Sequence, residues 1–230
     1  MEQNIDYEIN YTAFIENLYR SRDEIAADLL SDNIIPHEYS VLNRVDLTKL
    51  DVYSIDPEGC EDADDAFSIY KEKNVLYLAI HIADPTEYIN LKSNLWKYVS
   101  DRVISHYPSN RRPIHMIPRE IMEKSSLMVN NKGNIKNAIT LLMNINNINY
   151  QPGNIKLLFT KIKVNKENAL SYKSACEQID SNEVLSIGLK ISNALQNLRG
   201  EKTIGIKLNE VSQSYPVYVD GIPSIYKNNN

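Results

Sequence analysis

The chain is predicted to fold as an α+β protein, a mixed or antiparallel sheet with packed helices. Three features predict it: apolar runs of strand length between residues 42 and 89, a second pair of such runs split by a Pro-Gly step, and serine-initiated helical repeats after them. Over residues 12–31, Phe14, Ile15, Leu18, Tyr19, Ile25, Leu29 and Leu30 recur at helical spacing behind Thr12 as N-cap, and Pro36 ends the region. Residues 1–40 are therefore expected to be a helical lead-in. Val52-Tyr-Ser-Ile55 and Ala66-Phe-Ser-Ile-Tyr70 read as strands, and Val75-Leu-Tyr-Leu-Ala-Ile-His-Ile82 reads as a buried one. His81, inside that run, is expected to be a satisfied core histidine. Ala138–Ile145 and Ile155–Val164 flank Gln151-Pro-Gly-Asn154, whose Pro-Gly pair suits a type II turn and predicts an antiparallel hairpin. Ser171 is a candidate cap for a short helix to about residue 179. Ser181 is one for a longer helix carrying Val184, Ile187, Ile191, Leu195 and Leu198 on one face.

Composition bounds the function classes. With 230 residues and 43% hydrophobic content the chain is long enough to bury a core. Its two cysteines, Cys60 and Cys176, read as reduced thiols rather than a disulfide framework. No signal peptide and no apolar run of about twenty residues is present, so membrane spanning is not expected and a cytoplasmic location is. The net charge of −5 is unfavourable for nucleic acid, but much of it sits in one loop, where a bound cation would neutralise it.

That loop carries the chemistry. Asp56, Asp62, Asp64 and Asp65 fall within Ser54-Ile-Asp-Pro-Glu-Gly-Cys-Glu-Asp-Ala-Asp-Asp-Ala66, with Glu58 and Glu61 between them. Carboxylates a few ångströms apart repel by about 1 kcal/mol per pair in water and about 4 kcal/mol at a surface-like dielectric, so the loop requires a cation or a proton. Left to itself, a run of charges reads as a solvated turn. The apolar flanks on both sides favour anchored strand ends instead. An EF-hand fits poorly, because Gly59 precedes the closely spaced aspartates. Mg²⁺ accepts carboxylate, water and phosphate oxygens, and paired ions of this kind serve in-line cleavage of phosphodiesters.

An aspartate followed by others six, eight and nine residues later, introduced by Ser-Ile and followed by Ala, resembles the active-site signature of the RNB family, the ribonuclease II and ribonuclease R exoribonucleases. Further blocks agree in order. Arg44-Val-Asp-Leu-Thr48 is similar to the family's lead-in, and Leu78-Ala-Ile-His-Ile-Ala-Asp84, with Tyr88 and Ile89, to the strand after the motif. The run from His106 to Glu120, Ser126-Leu127 and Asn168-Ala-Leu-Ser-Tyr172 continue the agreement. The resemblance implies a magnesium-dependent 3′-to-5′ exoribonuclease that takes single-stranded RNA and releases nucleoside 5′-monophosphates, with two Mg²⁺ ions that Mn²⁺ can replace. It implies that Asp56, Asp62 and Asp65 hold metal, and that Asp64 is catalytic, binding the second ion or orienting the attacking water.

Substrate contacts are expected from the third block. Arg102, Arg111 and Arg112 offer planar forks for phosphate oxygens. Tyr107 stands where the resemblance places a tyrosine that stacks the 3′-terminal nucleotides, a contact worth about 1 to 3 kcal/mol per base. The chain also departs from the family's pattern. One extra residue falls between Tyr107 and Met116, and His115 stands where the family has proline. After Gly205-Ile-Lys-Leu-Asn-Glu210 the sequence has no counterpart of the family's proline-isoleucine-arginine-arginine-tyrosine segment, whose arginine reaches the scissile phosphate. Residues 41–230 are thus expected to be an RNB-like catalytic domain incomplete at its C-terminal side. Alternatives of another class follow: a weakly active or inactive remnant that binds RNA or protein, or one piece of a split or longer enzyme completed by a protein partner or by the missing segment.

Overall fold

A computed structural model describes residues 43–60, 62–105, 115–130, 133–202, 214–219 and 222–227. The expected helix over 12–31, the segment 205–210, which resembles a strand of the RNB family, and Tyr107, Arg111 and Arg112 lie outside the described residues.

The elements are β1 (Val45–Asp46), β2 (Val52–Asp56), β3 (Asp65–Glu72), β4 (Val75–Ala83), a 3-10 turn (Pro85–Tyr88), α1 (Asn94–Arg102), α2 (Arg119–Ser125), β5 (Ile135–Ile145), β6 (Pro152–Ser171), α3 (Tyr172–Gln178), α4 (Glu183–Lys202), β7 (Ser214–Val219) and β8 (Ile222–Lys227). The fold is α+β with a mixed sheet, as expected. Its order is β1-β6-β2-β3-β4-β5, and β5 pairs back onto β6, so five strands close into a circuit. The long β6 makes this closure. Its first part runs antiparallel to β5, its last part parallel to β2. β7 and β8 form a separate antiparallel pair.

Period-two alternation sends one set of side chains to a common interior. Val52, Ala66, Ala138, Ile162 and Val164 cluster there with Ala63 and Leu127. Beside them His81, Thr140, Thr160 and Ser68 are fully buried. These polar groups satisfy one another. Thr160 Oγ1 donates to the Ala138 carbonyl at 3.2 Å and lies 2.7 Å from Thr140 Oγ1, so it accepts from Thr140. Thr140 then accepts from His81 Nδ1–H at 2.9 Å, and Ser68 Oγ donates to His81 Nε2 at 3.1 Å. This network assigns the Nδ1–H tautomer.

Burial pushes His81 down to about 4 from its usual 6.5, so the imidazole is neutral in the fold. Between those two values the unfolded chain binds the proton and the folded chain does not. Stability is therefore full above pH 6.5 and lost as pH falls towards 4, by about 3 kcal/mol in all. Urea unfolding of wild type at pH 7 and pH 4.5 should show this loss, and His81→Gln should show a shallower one. Equal slopes for the two proteins would contradict the assignment.

The other sheet face is covered by α4. Val184, Ile187, Ile191 and Leu195, four of the five residues expected on one helical face, pack on Ile69, Leu76, Leu78, Met143 and Ile145. Ser171 caps α3 by accepting the Ser174 N–H. The cap of α4 is different from the one expected. Asn182 Oδ1, not Ser181, accepts from the N–H groups of Val184 and Leu185, because Ser181 is held in the preceding turn, its hydroxyl donating to the Gln178 carbonyl.

The hairpin is also present, but its turn is not at residues 151–154. Reversal occurs at 146–150, where Asn146 Oδ1 accepts from the N–H groups of Ile148 and Asn149 and Tyr150 takes φ of +57°. Pro152 and Gly153 are already in β6. A Cβ on Gly153 would lie 2.8 Å from Asn144 Oδ1 on the facing strand, so the glycine serves close strand approach. No described helix is long and apolar enough to cross a membrane.

Candidate active site

Strand geometry gathers the aspartates at one end of the sheet. Asp56 is the last residue of β2, aligned with Ser171 at the end of the parallel β6, and Asp65 is the first residue of β3, aligned with Ile82. β2 and β3 are antiparallel neighbours, so the end of one lies beside the start of the other. Asp62 and Asp64 lie on the loop between them.

Backbone contacts hold that loop from both sides. The Leu127 N–H donates to the Ala63 carbonyl and the Ala83 N–H donates to the Asp64 carbonyl, each at 2.8 Å. The Ala63 methyl is completely buried against the interior cluster. The small residue between Asp62 and Asp64 therefore acts as an anchor that turns its acidic neighbours outward.

The electrostatics follow. Asp64 is pushed above the usual carboxylate range, first by desolvation of its carboxyl, although the residue as a whole is exposed, and then by the charges of Asp62, Asp65 and Asp56. The other three carboxylates of the cluster thus all act on Asp64. The charge of His115 works in the opposite direction on Asp64, and its Nδ1 lies 3.5 Å from Asp62 Oδ2. Cys60 Sγ sits 4.0 Å from Asp62 Oδ1, and burial, followed by the surrounding aspartates, raises the thiol.

Four carboxylates with hard oxygen donors suit Mg²⁺ or Mn²⁺ in kind. As they stand, no three His, Cys, Asp or Glu side chains among the described residues converge into a preformed metal cage. The mutual repulsion registered at Asp64 is the force that a cation between them would remove.

Around the loop, blocks distant in sequence meet. Arg44, buried before β1, places its guanidinium 2.6 Å from both Asp84 and Glu87 and donates to the Ala138 carbonyl. Asp84 directly follows Ala83, which holds Asp64. Leu170 and Ser171 run beside Ile55 and Asp56. Next to Asp65 opens a cleft of about 530 Å³ whose lining includes Ile55, Phe67, Tyr172, Gln196 and Arg199.

Of the expected substrate contacts only Arg102 is described. Its guanidinium stacks 4.0 Å from the Tyr98 ring centroid in the last turn of α1. No described contact brings it to the aspartates. The structure adds His115, which in sequence stands out only as a departure from the family's proline, and Ala63 and Leu127, whose side chains carry no chemical signal in sequence.

Comparison with known proteins fits this arrangement. Exoribonuclease 2 of Xenorhabdus bovienii is 44% identical over 84 residues, which cover 36% of this chain and 13% of that protein. A structure of Mycoplasma genitalium RNase R in complex with ribose-methylated single-stranded RNA shares the fold, with a TM-score of 0.69 and 18% identity over 88% of this chain and 32% of that one. Yeast Ssd1, described as a pseudonuclease, shares it with a TM-score of 0.64 and 16% identity over 79% of this chain and 22% of that one. The chain thus spans a small part of the length of the relatives it matches. The RNB domain family matches residues 44–213, which include the acidic loop and every element that holds it, and the chain belongs to that family.

Proposed function

We propose that the chain is the catalytic portion of a magnesium-dependent 3′-to-5′ exoribonuclease that hydrolyses single-stranded RNA to nucleoside 5′-monophosphates. The observation that carries this reading is the gathering of four carboxylates whose combined field is felt at Asp64. Asp56, Asp62 and Asp65 would hold divalent metal, and Asp64 would help to hold a second ion or orient the attacking water. Bound there, Mg²⁺ or Mn²⁺ supplies polarisation of the phosphate and a more acidic water. Water adds to the terminal phosphodiester and the bond to the 3′ oxygen of the penultimate nucleotide breaks. Arg102, Arg111 and Arg112 are the candidate phosphate contacts and Tyr107 the candidate stacking ring. The cleft beside Asp65 offers concave surface for the RNA chain.

A gel assay on 5′-labelled single-stranded RNA tests it. Progressive shortening from the 3′ end with Mg²⁺, stopped by EDTA and absent on circular RNA, is the expected result. Internal fragments would overturn the exonucleolytic reading.

A second reading, an RNA-binding module without catalysis, is favoured by the likeness to the pseudonuclease and by the lack of a preformed cage among the described residues. RNA retained by the protein yet intact in Mg²⁺ would decide for it. Recovery of cleavage on adding another polypeptide would mark one piece of a split enzyme.

A further inference from the structure

Lys136 is a buried cation that the proposed chemistry does not use. It lies on β5 with a side chain only 1% exposed, among the largest fully buried groups of the molecule. Its Nζ is 3.1 Å from the Glu123 carbonyl, 3.5 Å from the Lys124 carbonyl and 3.2 Å from Asn130 Oδ1. Three donors meet three oxygens. Asn130 closes the same clasp, its Nδ2 donating to the Glu123 carbonyl at 2.7 Å. The two carbonyls belong to the last turn of α2, where unpaired backbone oxygens and the negative end of the helix favour a cation.

Burying an ammonium is costly, and desolvation pushes Lys136 below its ordinary value. An apolar side chain would fill the space without that cost. What lysine adds is direction: it fixes the end of α2 to β5. Immediately beyond that end, the Ser126 N–H bonds the Met122 carbonyl and the Leu127 N–H bonds the carbonyl of Ala63, between Asp62 and Asp64. Before α2 stands His115, with its ring beside Asp62. Segment 115–128 therefore touches the acidic loop at both of its ends, with α2 as the rigid piece between.

We propose that Lys136 is a positioning residue for the acidic site: by clasping the exit of α2 it fixes the Leu127 N–H against Ala63, and so sets the spacing of the Asp62 and Asp64 carboxylates. This rests on the reading that those carboxylates hold divalent cations. Groups that orient metal ligands from behind change metal affinity about 10- to 100-fold when removed.

The test is a Mn²⁺ titration of the full chain without RNA, followed by the electron paramagnetic resonance signal of the free ion, with thermal melts and RNA retention in EDTA alongside. Lys136→Met keeps length and apolar volume while removing the three donors. It should bind Mn²⁺ about 10-fold or more weakly. RNA retention in EDTA should stay at the wild-type level. Asn130→Ala, which removes only part of the clasp, should shift affinity in the same direction by less. Ile145→Val, a core change under α4 at the end of β5 opposite Lys136, should lower the melting temperature and leave Mn²⁺ affinity unchanged. Wild-type affinity in folded Lys136→Met, or in Asn130→Ala should the former not fold, would overturn the positioning role and leave the exonuclease reading standing. A wild-type chain that binds no Mn²⁺ would overturn both.

Discussion

Asp64→Asn should abolish RNA cleavage while leaving the fold and RNA retention in place. The carboxamide is nearly isosteric, and the backbone bond that fixes this residue, from the Ala83 N–H to its carbonyl, does not involve the side chain. What disappears is one negative charge at the centre of the cluster, where Asp62, Asp65 and Asp56 all act on it. Loss of a charge that helps hold metal or orient water should lower the rate at least about a hundredfold. The sign of the effect on stability is the informative part. Asp64 titrates above the usual carboxylate range, so at neutral pH its ionised form is disfavoured by the folded state, and the variant in EDTA should be at least as stable as wild type. Single-turnover cleavage, filter retention of RNA and thermal melts in EDTA measure the three quantities. Parallel loss of cleavage and RNA retention would mean that Asp64 serves binding or folding instead.

Arg44→Met should have the largest effect on stability. Its guanidinium is nearly sealed from solvent and faces two carboxylates, of which Asp84 is fully buried. Asp84 also accepts from the Thr86 N–H and hydroxyl, and Glu87 from Asn137 Nδ2, so both acids are held in place with or without the arginine. Removing the cation leaves a buried carboxylate uncompensated, a change that costs about 3 to 5 kcal/mol. Urea unfolding at pH 7 should show a fall of that size. A loss below about 1 kcal/mol, the range of exposed ion pairs, would mean that water or another cation reaches Asp84. Because Ala83 precedes Asp84 and holds Asp64, folded variant should also cleave RNA more slowly at limiting Mg²⁺.

The fold was legible where local pattern and tertiary environment agree. Val75–Ile82 is read as a buried strand because β-branched and large apolar residues leave no helical stripe, and β4 occupies Val75–Ala83. His81 could be placed in the core because one polar group in such a run needs only a hydroxyl on each neighbouring strand, which Ser68 and Thr140 provide. Misreadings came where a side chain competes with a stronger turn former. Asn146, with its carbonyl oxygen free to bond the backbone two and three residues on, takes the reversal from Pro152-Gly153. The apolar run of β6 reads only over Ile155–Val164, and the polar Asn165-Lys-Glu-Asn168 follows it. In the structure those residues stand against the single Tyr53 between Val52 and Ser54, a bulge that lets the strand continue to Ser171.

At the site, the aspartates could be found because their spacing lies within one loop. Ala63, Leu127 and Lys136 could not. Each matters through a contact with a distant segment, and an alanine, a leucine or a lysine looks the same in sequence whether or not such a contact exists. His115 is intermediate: its chemistry was visible, but only the packing of α1 and α2 around Ile89, Leu95, Val99 and Ile121, with Met116 and Ile117 against that cluster, brings it to Asp62.

The most direct test of the central claim, that the acidic loop is a metal-dependent site for hydrolysis at an RNA 3′ end, is the identity of the first product from single-stranded RNA bearing a labelled 3′-terminal nucleotide. With protein in excess and Mg²⁺ present, labelled nucleoside 5′-monophosphate should appear from the earliest time point, and none in EDTA. Label that stays on full-length RNA under the same conditions, or that appears in longer fragments, would contradict it.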